Sequence, residues 1–123
     1  MSAPNPLPKY VYKIIDTEPT SQLLDELPLS DLDSKDGFIH LSVAKQVPNV
    51  AGLFFEAHTT LWVLKLPLAS LGRVEWEGSD DQGRAFPHLY GRFGGREVVG
   101  IKVVQRSASE GWRGIFERDD WLE

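Results

Sequence analysis

The run Thr60-Leu61-Trp62-Val63-Leu64-Lys65-Leu66 is apolar on both faces. Alternate side chains of an extended chain point to opposite sides, so a strand of this composition belongs in the middle of a sheet, covered above and below. The other β-rich segments arrange themselves around it. Tyr10–Ile15 reads as the first strand, Val74–Glu77 as a short one with Glu75 and Glu77 on one face and Trp76 on the other, and Glu97–Gln105 as the last, with Val99, Ile101 and Val103 sharing a face. Thr17 caps an expected helix through Leu27 that turns Leu23, Leu24 and Leu27 inward and stops at Pro28. Val43, Val47, Val50 and Phe54 recur at helical spacing, and Pro48 either starts the main helix or kinks it. Ser30–Asp36 reads as an acidic loop, and Ser107–Glu123 as a polar wrap that places Trp112, Phe116 and Trp121 in satellite clusters. About six short strands and two helices that do not alternate regularly exclude a doubly wound parallel sheet. The expected class is α+β, with a flexible Pro-rich arm over residues 1–9 and a single domain over 10–123.

A chain of 123 residues can bury a real core without staples. It has no cysteine, which removes disulfides, zinc–thiolate sites, iron–sulfur clusters and cysteine nucleophiles. The N-terminal stretch has no apolar signal-peptide core and no run reaches membrane-spanning length, so a cytoplasmic protein without a membrane partner is expected. A formal net charge of −5 argues against general nucleic-acid binding, which needs clustered Lys and Arg. The one local basic cluster, Arg84, Arg92 and Arg96, suits a small anion at most.

Two segments carry the chemistry: Gly37-Phe38-Ile39-His40-Leu41-Ser42 and Phe86-Pro87-His88-Leu89-Tyr90-Gly91. Period-two alternation puts Phe38, His40 and Ser42 on one face of the first, and Phe86, His88 and Tyr90 on one face of the second. Each face offers an aromatic ring, an imidazole and a hydroxyl, the inventory of a pocket for a flat polar small molecule. His40 and His88 are expected to share that pocket. Ser42 lies where a strand yields to a helix, as an N-cap and a ligand contact. One of Phe54 and Phe55 is core and the other a stacking wall. Tyr90 stacks or donates, and Glu77 is a candidate general base or stabiliser of a developing cation. A metal site built from His40, His88 and Glu75 or Glu77 is the competing arrangement. Yet there is no His-x-His, no His-Glu-x-x-His and no histidine pair at helical spacing, and no metal is expected. No Gly-x-Ser-x-Gly, Gly-x-Gly-x-x-Gly or Walker A sequence is present.

Taken in order, Asp36–Ser42, Gln46-Val47-Pro48, Trp76-Glu77 and Phe86–Gly91 resemble a family of small proteins designated domain of unknown function 952, over about Tyr10 to Val104. The resemblance implies an ADP-ribosyltransferase-like fold, a compact split β-barrel of two small mixed sheets with one or two helices and NAD held between them. In that superfamily an early-strand histidine, followed by a hydroxyl residue, holds a ribose hydroxyl of NAD. His40 with Ser42 matches that position, and His88 with Tyr90 are candidates for the second strand. One branch removes an RNA 2′-phosphate with NAD, for which Arg92 and Arg96 are the only matching basic residues. Transfer to an acceptor uses a late acidic residue, and Glu97 is the sole carboxylate of the last strand here.

The expectation is a two-histidine pocket for NAD or a related nucleotide. His40 and His88 would be catalytic with Glu77, and Ser42, Phe55, Tyr90 and Arg92 would contact ligand. Such a protein could act as an ADP-ribosyl or 2′-phosphate transferase-like enzyme or a glycohydrolase. A non-catalytic small-molecule binding module is the alternative, and a metal-dependent hydrolase the third.

Overall fold

The computed structural model describes residues 3–19, 26–118 and 120–123. Six strands, β1 (Tyr10–Ile15), β2 (Ile39–His40), β3 (Thr60–Pro67), β4 (Val74–Glu77), β5 (Phe86–Leu89) and β6 (Gly100–Gln105), form two three-stranded sheets. The first has the order β1-β3-β6 and the second β2-β5-β4, with every pairing antiparallel. The expected mixed sheets are thus antiparallel ones, and among the described residues they do not close into a barrel. Among the described residues three helices accompany them: α1 (Asp31–Asp36), α2 (Val47–Phe54) and α3 (Trp112–Glu117).

Strand β3 sits in the middle, as its two apolar faces require. Leu64 and Leu66 enter a core between the sheets with Val11, Ile39, Leu41, Leu89 and Phe93. Leu61 and Val63 enter a second core beneath α2 and α3, with Tyr12, Ile14, Val47, Ala51, Trp112 and Phe116. Each fully buried aliphatic side chain contributes about 1.5–3 kcal/mol. Trp112 and Phe116 are therefore central packing residues on a helix, rather than rings in satellite clusters on a wrap. The indole Nε1–H of Trp112 also donates to the Phe55 carbonyl at 2.9 Å, tying α3 to the end of α2.

Two other expectations change. The acidic stretch expected as a loop holds helix α1. The Ser30 hydroxyl accepts from the Asp33 N–H at 3.1 Å, and Gly37, at φ +81°, closes the other end with its N–H on the Asp33 carbonyl. A residue with a Cβ is strained at that φ. The last strand begins at Gly100, and Glu97 instead accepts from the Gly94 N–H in the preceding turn at 3.0 Å. Val99, Ile101 and Val103 share a face as expected, but that face is exposed. Pro48 opens α2, after a short 3-10 turn over Ala44–Gln46. Most of the helix expected over Thr17–Leu27 falls on residues 20–25, outside the described residues; Leu27 itself is buried.

Candidate functional site

The β2–β5 register sets Ile39 opposite Leu89 and His40 opposite His88. Ile39 and Leu89 point into the core between the sheets, so pleating leaves both imidazoles on the outer face. Their ring centroids are 5.4 Å apart, edge to face. Phe38 stacks on His88 at 4.1 Å and leans on His40 at 4.6 Å and Tyr90 at 5.3 Å. The two faces read from the alternation of the sequence meet in one aromatic cluster.

His40 is held by helix α1. Its Nδ1 lies 2.7 Å from Asp33 Oδ1 and its Nε2 2.9 Å from Asp36 Oδ2, and its backbone N–H donates to Asp33 Oδ1 at 3.1 Å. Carboxylate oxygens only accept, so a ring nitrogen that carries a proton donates to the carboxylate facing it. Asp33 is buried and its second oxygen accepts from the buried Lys13 ammonium at 2.8 Å, which also donates to the His40 carbonyl at 3.2 Å. Burial alone would push the Asp33 carboxyl up. The His40 ring, the Lys13 ammonium and the His40 N–H outweigh it and hold the carboxyl far below the ordinary range. Burial lowers Lys13 in turn, against the pull of Asp33.

His88 is held from the opposite direction. Glu77 Oε1 accepts from His88 Nδ1–H at 2.9 Å and from the Tyr90 hydroxyl at 2.7 Å. The Tyr90 and His88 hydrogen bonds lower the Glu77 carboxyl, and the Glu77 bond raises the Tyr90 phenol. With Nδ1–H engaged, Nε2 is the acceptor of the neutral ring. Arg73 lies over the Tyr90 ring at 4.8 Å.

A cleft of about 670 Å³ opens over the two histidines. Ser42, Phe55, His40 and His88, all expected at the site, line it together with Lys13 and Asp33. Glu77, Tyr90 and Arg92 do not: Glu77 and Tyr90 stand behind His88. Arg92 is turned onto the Leu27 carbonyl and Glu26, both at 3.1 Å. Arg84, from the same basic cluster, is bound to Asp80 at 3.1 Å. Both Phe54 and Phe55 line the cleft; Phe55 also packs on the lower core, while Phe54 is 66% exposed. Ser42 is not the N-cap. Its backbone pairs with Tyr12 (2.8 and 2.9 Å), and the following turn is capped by Gln46, whose Oε1 accepts from the Val43 N–H at 3.0 Å. Among the described residues, no three His, Asp or Glu side chains are placed to hold a metal ion. None of their helices is long and apolar enough to cross a membrane.

Nothing in the strand alternation gives Asp33, Asp36 or Lys13 a place at the site. Ser30 and Gly37, three residues before Asp33 and four after, were the legible signal: they bracket a helix that brings Asp33 and Asp36 to His40. Gln46 and Asp80 are a second missed pair. Gln46 is buried and donates to Asp80 Oδ2 at 3.1 Å and to the Ala85 carbonyl at 3.0 Å. Asp80 accepts from the N–H groups of Gln82 and Arg84 at 2.8 and 2.9 Å and so shapes the loop leading into β5. Burial works to raise its carboxyl, but these bonds hold it down at about 2.

A comparison with curated proteins gives no match. Among solved structures, the chain resembles protein CC0527 of Caulobacter crescentus. Its crystal structure is 28% identical, with a TM-score of 0.72 over 83% of this chain and 91% of that one. A double-methionine variant of CC0527 matches equally well, and its solution NMR structure gives a TM-score of 0.60 over 81% and 88%. Residues 16–101 match the family model described as "Protein of unknown function (DUF952)", a span that includes both histidine strands and everything that holds them, Lys13 excepted. The chain belongs to that family.

Proposed function

We propose that the cleft binds a small molecule with a flat, hydrogen-bonding ring, of the kind carried by NAD and related nucleotides, and that His88 is its polar contact, beside a His40 ring whose nitrogens already face Asp33 and Asp36. The observation that supports this most directly is the register of β2 on β5. It sets two imidazoles opposite each other at one end of a cleft whose walls are aromatic and apolar. On this reading the paired sheets are a variant of the ADP-ribosyltransferase-like arrangement, an analogy of fold and a weaker warrant than the site itself.

A catalytic role is the second reading, favoured by the Glu77–His88–Tyr90 bonds. In a transfer from NAD, the bond between ribose C1′ and the nicotinamide nitrogen breaks, and its electron pair leaves with the neutral nicotinamide. Water or an acceptor hydroxyl then attacks C1′ and passes its proton to His88 Nε2, with Glu77 orienting that ring. Glu77 stands behind His88, so it acts through the ring instead of facing a ribosyl cation.

The test is a titration with NAD, ADP-ribose and nicotinamide, without added metal, followed through the ring signals of His40 and His88. Binding should perturb both rings. His88→Ala should weaken it by about 1–3 kcal/mol, the cost of leaving a buried ligand group unpaired. His40→Ala is the poorer probe, because it also strips a partner from the buried Asp33. Silence of both rings up to millimolar ligand would remove the reading, and release of free nicotinamide from NAD would establish the catalytic one.

A further inference from the structure

We infer that the cleft selects an unphosphorylated ring-bearing ligand, neutral or cationic: a nucleoside or pyridinium compound in preference to a nucleotide. This rests on the cleft reading above and narrows its substrate class.

A phosphate site shows inward-facing donors that nothing else engages: arginines, lysines or helix N-terminal amides. The described lining of this cleft has the reverse character. Its carboxylates are Asp16, Asp31 and Asp33, and its one ammonium is Lys13. Lys13 is already engaged by Asp33 and by the His40 carbonyl. Both His40 ring nitrogens face carboxylates, those of Asp33 and Asp36. The helix end nearest the histidines, that of α1, has its amide on Ser30 and carries Asp31 and Asp33 in its first turn. Of the three arginines the sequence offers for an anion, Arg84 and Arg92 are paired with Asp80 and Glu26, and neither they nor Arg96 is in the described lining of the cleft.

What the cleft does offer is ring surface. Phe54 is 66% exposed at its wall, with Phe55 beside it, and Leu29 and Leu32, before and on the helix α1 that holds His40, are exposed in its lining. A planar base can stack there, and a pyridinium gains further from the aromatic faces and the carboxylates. A phosphate brought to the same place loses water and finds no unengaged ammonium or guanidinium in the described lining: Lys13 is held by Asp33, Asp16 lies 3.1 Å from His58 Nε2, and Asp31 adds repulsion, so desolvation and repulsion act in the same direction.

Two pairs of compounds differing by a single phosphate test the inference: adenosine against adenosine monophosphate, and nicotinamide riboside against nicotinamide mononucleotide. Each is titrated into the intact protein at physiological salt, reading the His88 and Phe54 ring signals. The phosphorylated member of each pair should bind more weakly, by about tenfold. That gap should close in an Asp16→Asn/Asp31→Asn double variant, whose unchanged melting curve controls for folding. Equal or tighter binding of the phosphorylated members would overturn the inference and leave the cleft reading standing. A gap unaltered in the double variant would overturn it as well, since the discrimination would then arise elsewhere. Silence of His88 with all four compounds would overturn the cleft reading itself.

Discussion

One oxygen of Glu77 accepts two hydrogen bonds, from His88 and from Tyr90, and the two residues report on each other because of it. The Glu77 bond holds the Tyr90 phenol above its ordinary value near 10, so Glu77→Ala should bring that phenol back down. Ultraviolet titration would show the change, with Tyr90→Phe assigning the transition among the three tyrosines. The same variant frees His88 to exchange tautomers, visible in its ring nitrogen shifts, while the fold stays intact because Glu77 lies at a solvent-facing strand end. Asp33 is a different kind of residue. Truncating it to Ala leaves Lys13 buried without a counter-ion and unties His40 from α1. We expect a loss of about 3–5 kcal/mol in denaturant unfolding, the range for breaking a buried ion pair. A loss below 1 kcal/mol would mean that Lys13 finds water instead.

At the scale of elements, α3 is a helix of six residues whose hold on the protein comes from two rings. Trp112→Ala should cost about 3–5 kcal/mol by thermal or chemical unfolding, because it empties a large buried volume and removes the indole bond to Phe55. This helix was not legible in the sequence. Its N-cap is Gly111 without a side-chain cap, and its apolar stripe, Trp112, Ile115 and Phe116, spans little more than one turn among polar neighbours. Helix α1 has a signal in the sequence: Ser30 and Gly37 are ordinary helix punctuation, masked by the acidity of the residues between them. By contrast β4 and the two histidine faces can be read directly, since period-two alternation survives in three or four residues, and β1 and β3 can be read from their β-rich, apolar composition. The site was readable as far as alternation reaches, which is His40, His88, Phe38 and Tyr90. What alternation cannot reach is a partner that arrives from a separate element, as Lys13 and Asp33 do; Glu77 is readable as a candidate on its strand face, but not as the partner of His88 and Tyr90.

For the whole molecule, acid is the revealing variable. Asp33 and Asp80 both have folded-state carboxyls below their unfolded value near 3.9, Asp80 at about 2. A depressed carboxyl contributes stability that is present above the unfolded value and is lost as pH falls through the folded one. Urea midpoints should therefore hardly respond to these groups between pH 5 and 7 and should drop steeply below about pH 4. Asp80→Asn should flatten part of that drop while lowering the plateau; an unchanged slope would place the acid sensitivity elsewhere. The two sheets differ in another respect. Strand β3 is sandwiched by both cores, whereas β2 is two residues long and borrows a side chain, Asp33, for the amide of His40. Viewed as a matter of time, the molecule keeps two clocks. In hydrogen exchange the β3 amides should wait for global unfolding, while the His40 amide should exchange through a brief local release of α1. Such a release would uncover one histidine and leave the other seated, so a ligand's arrival could be paced by the opening of six residues while the remainder of the protein stays shut.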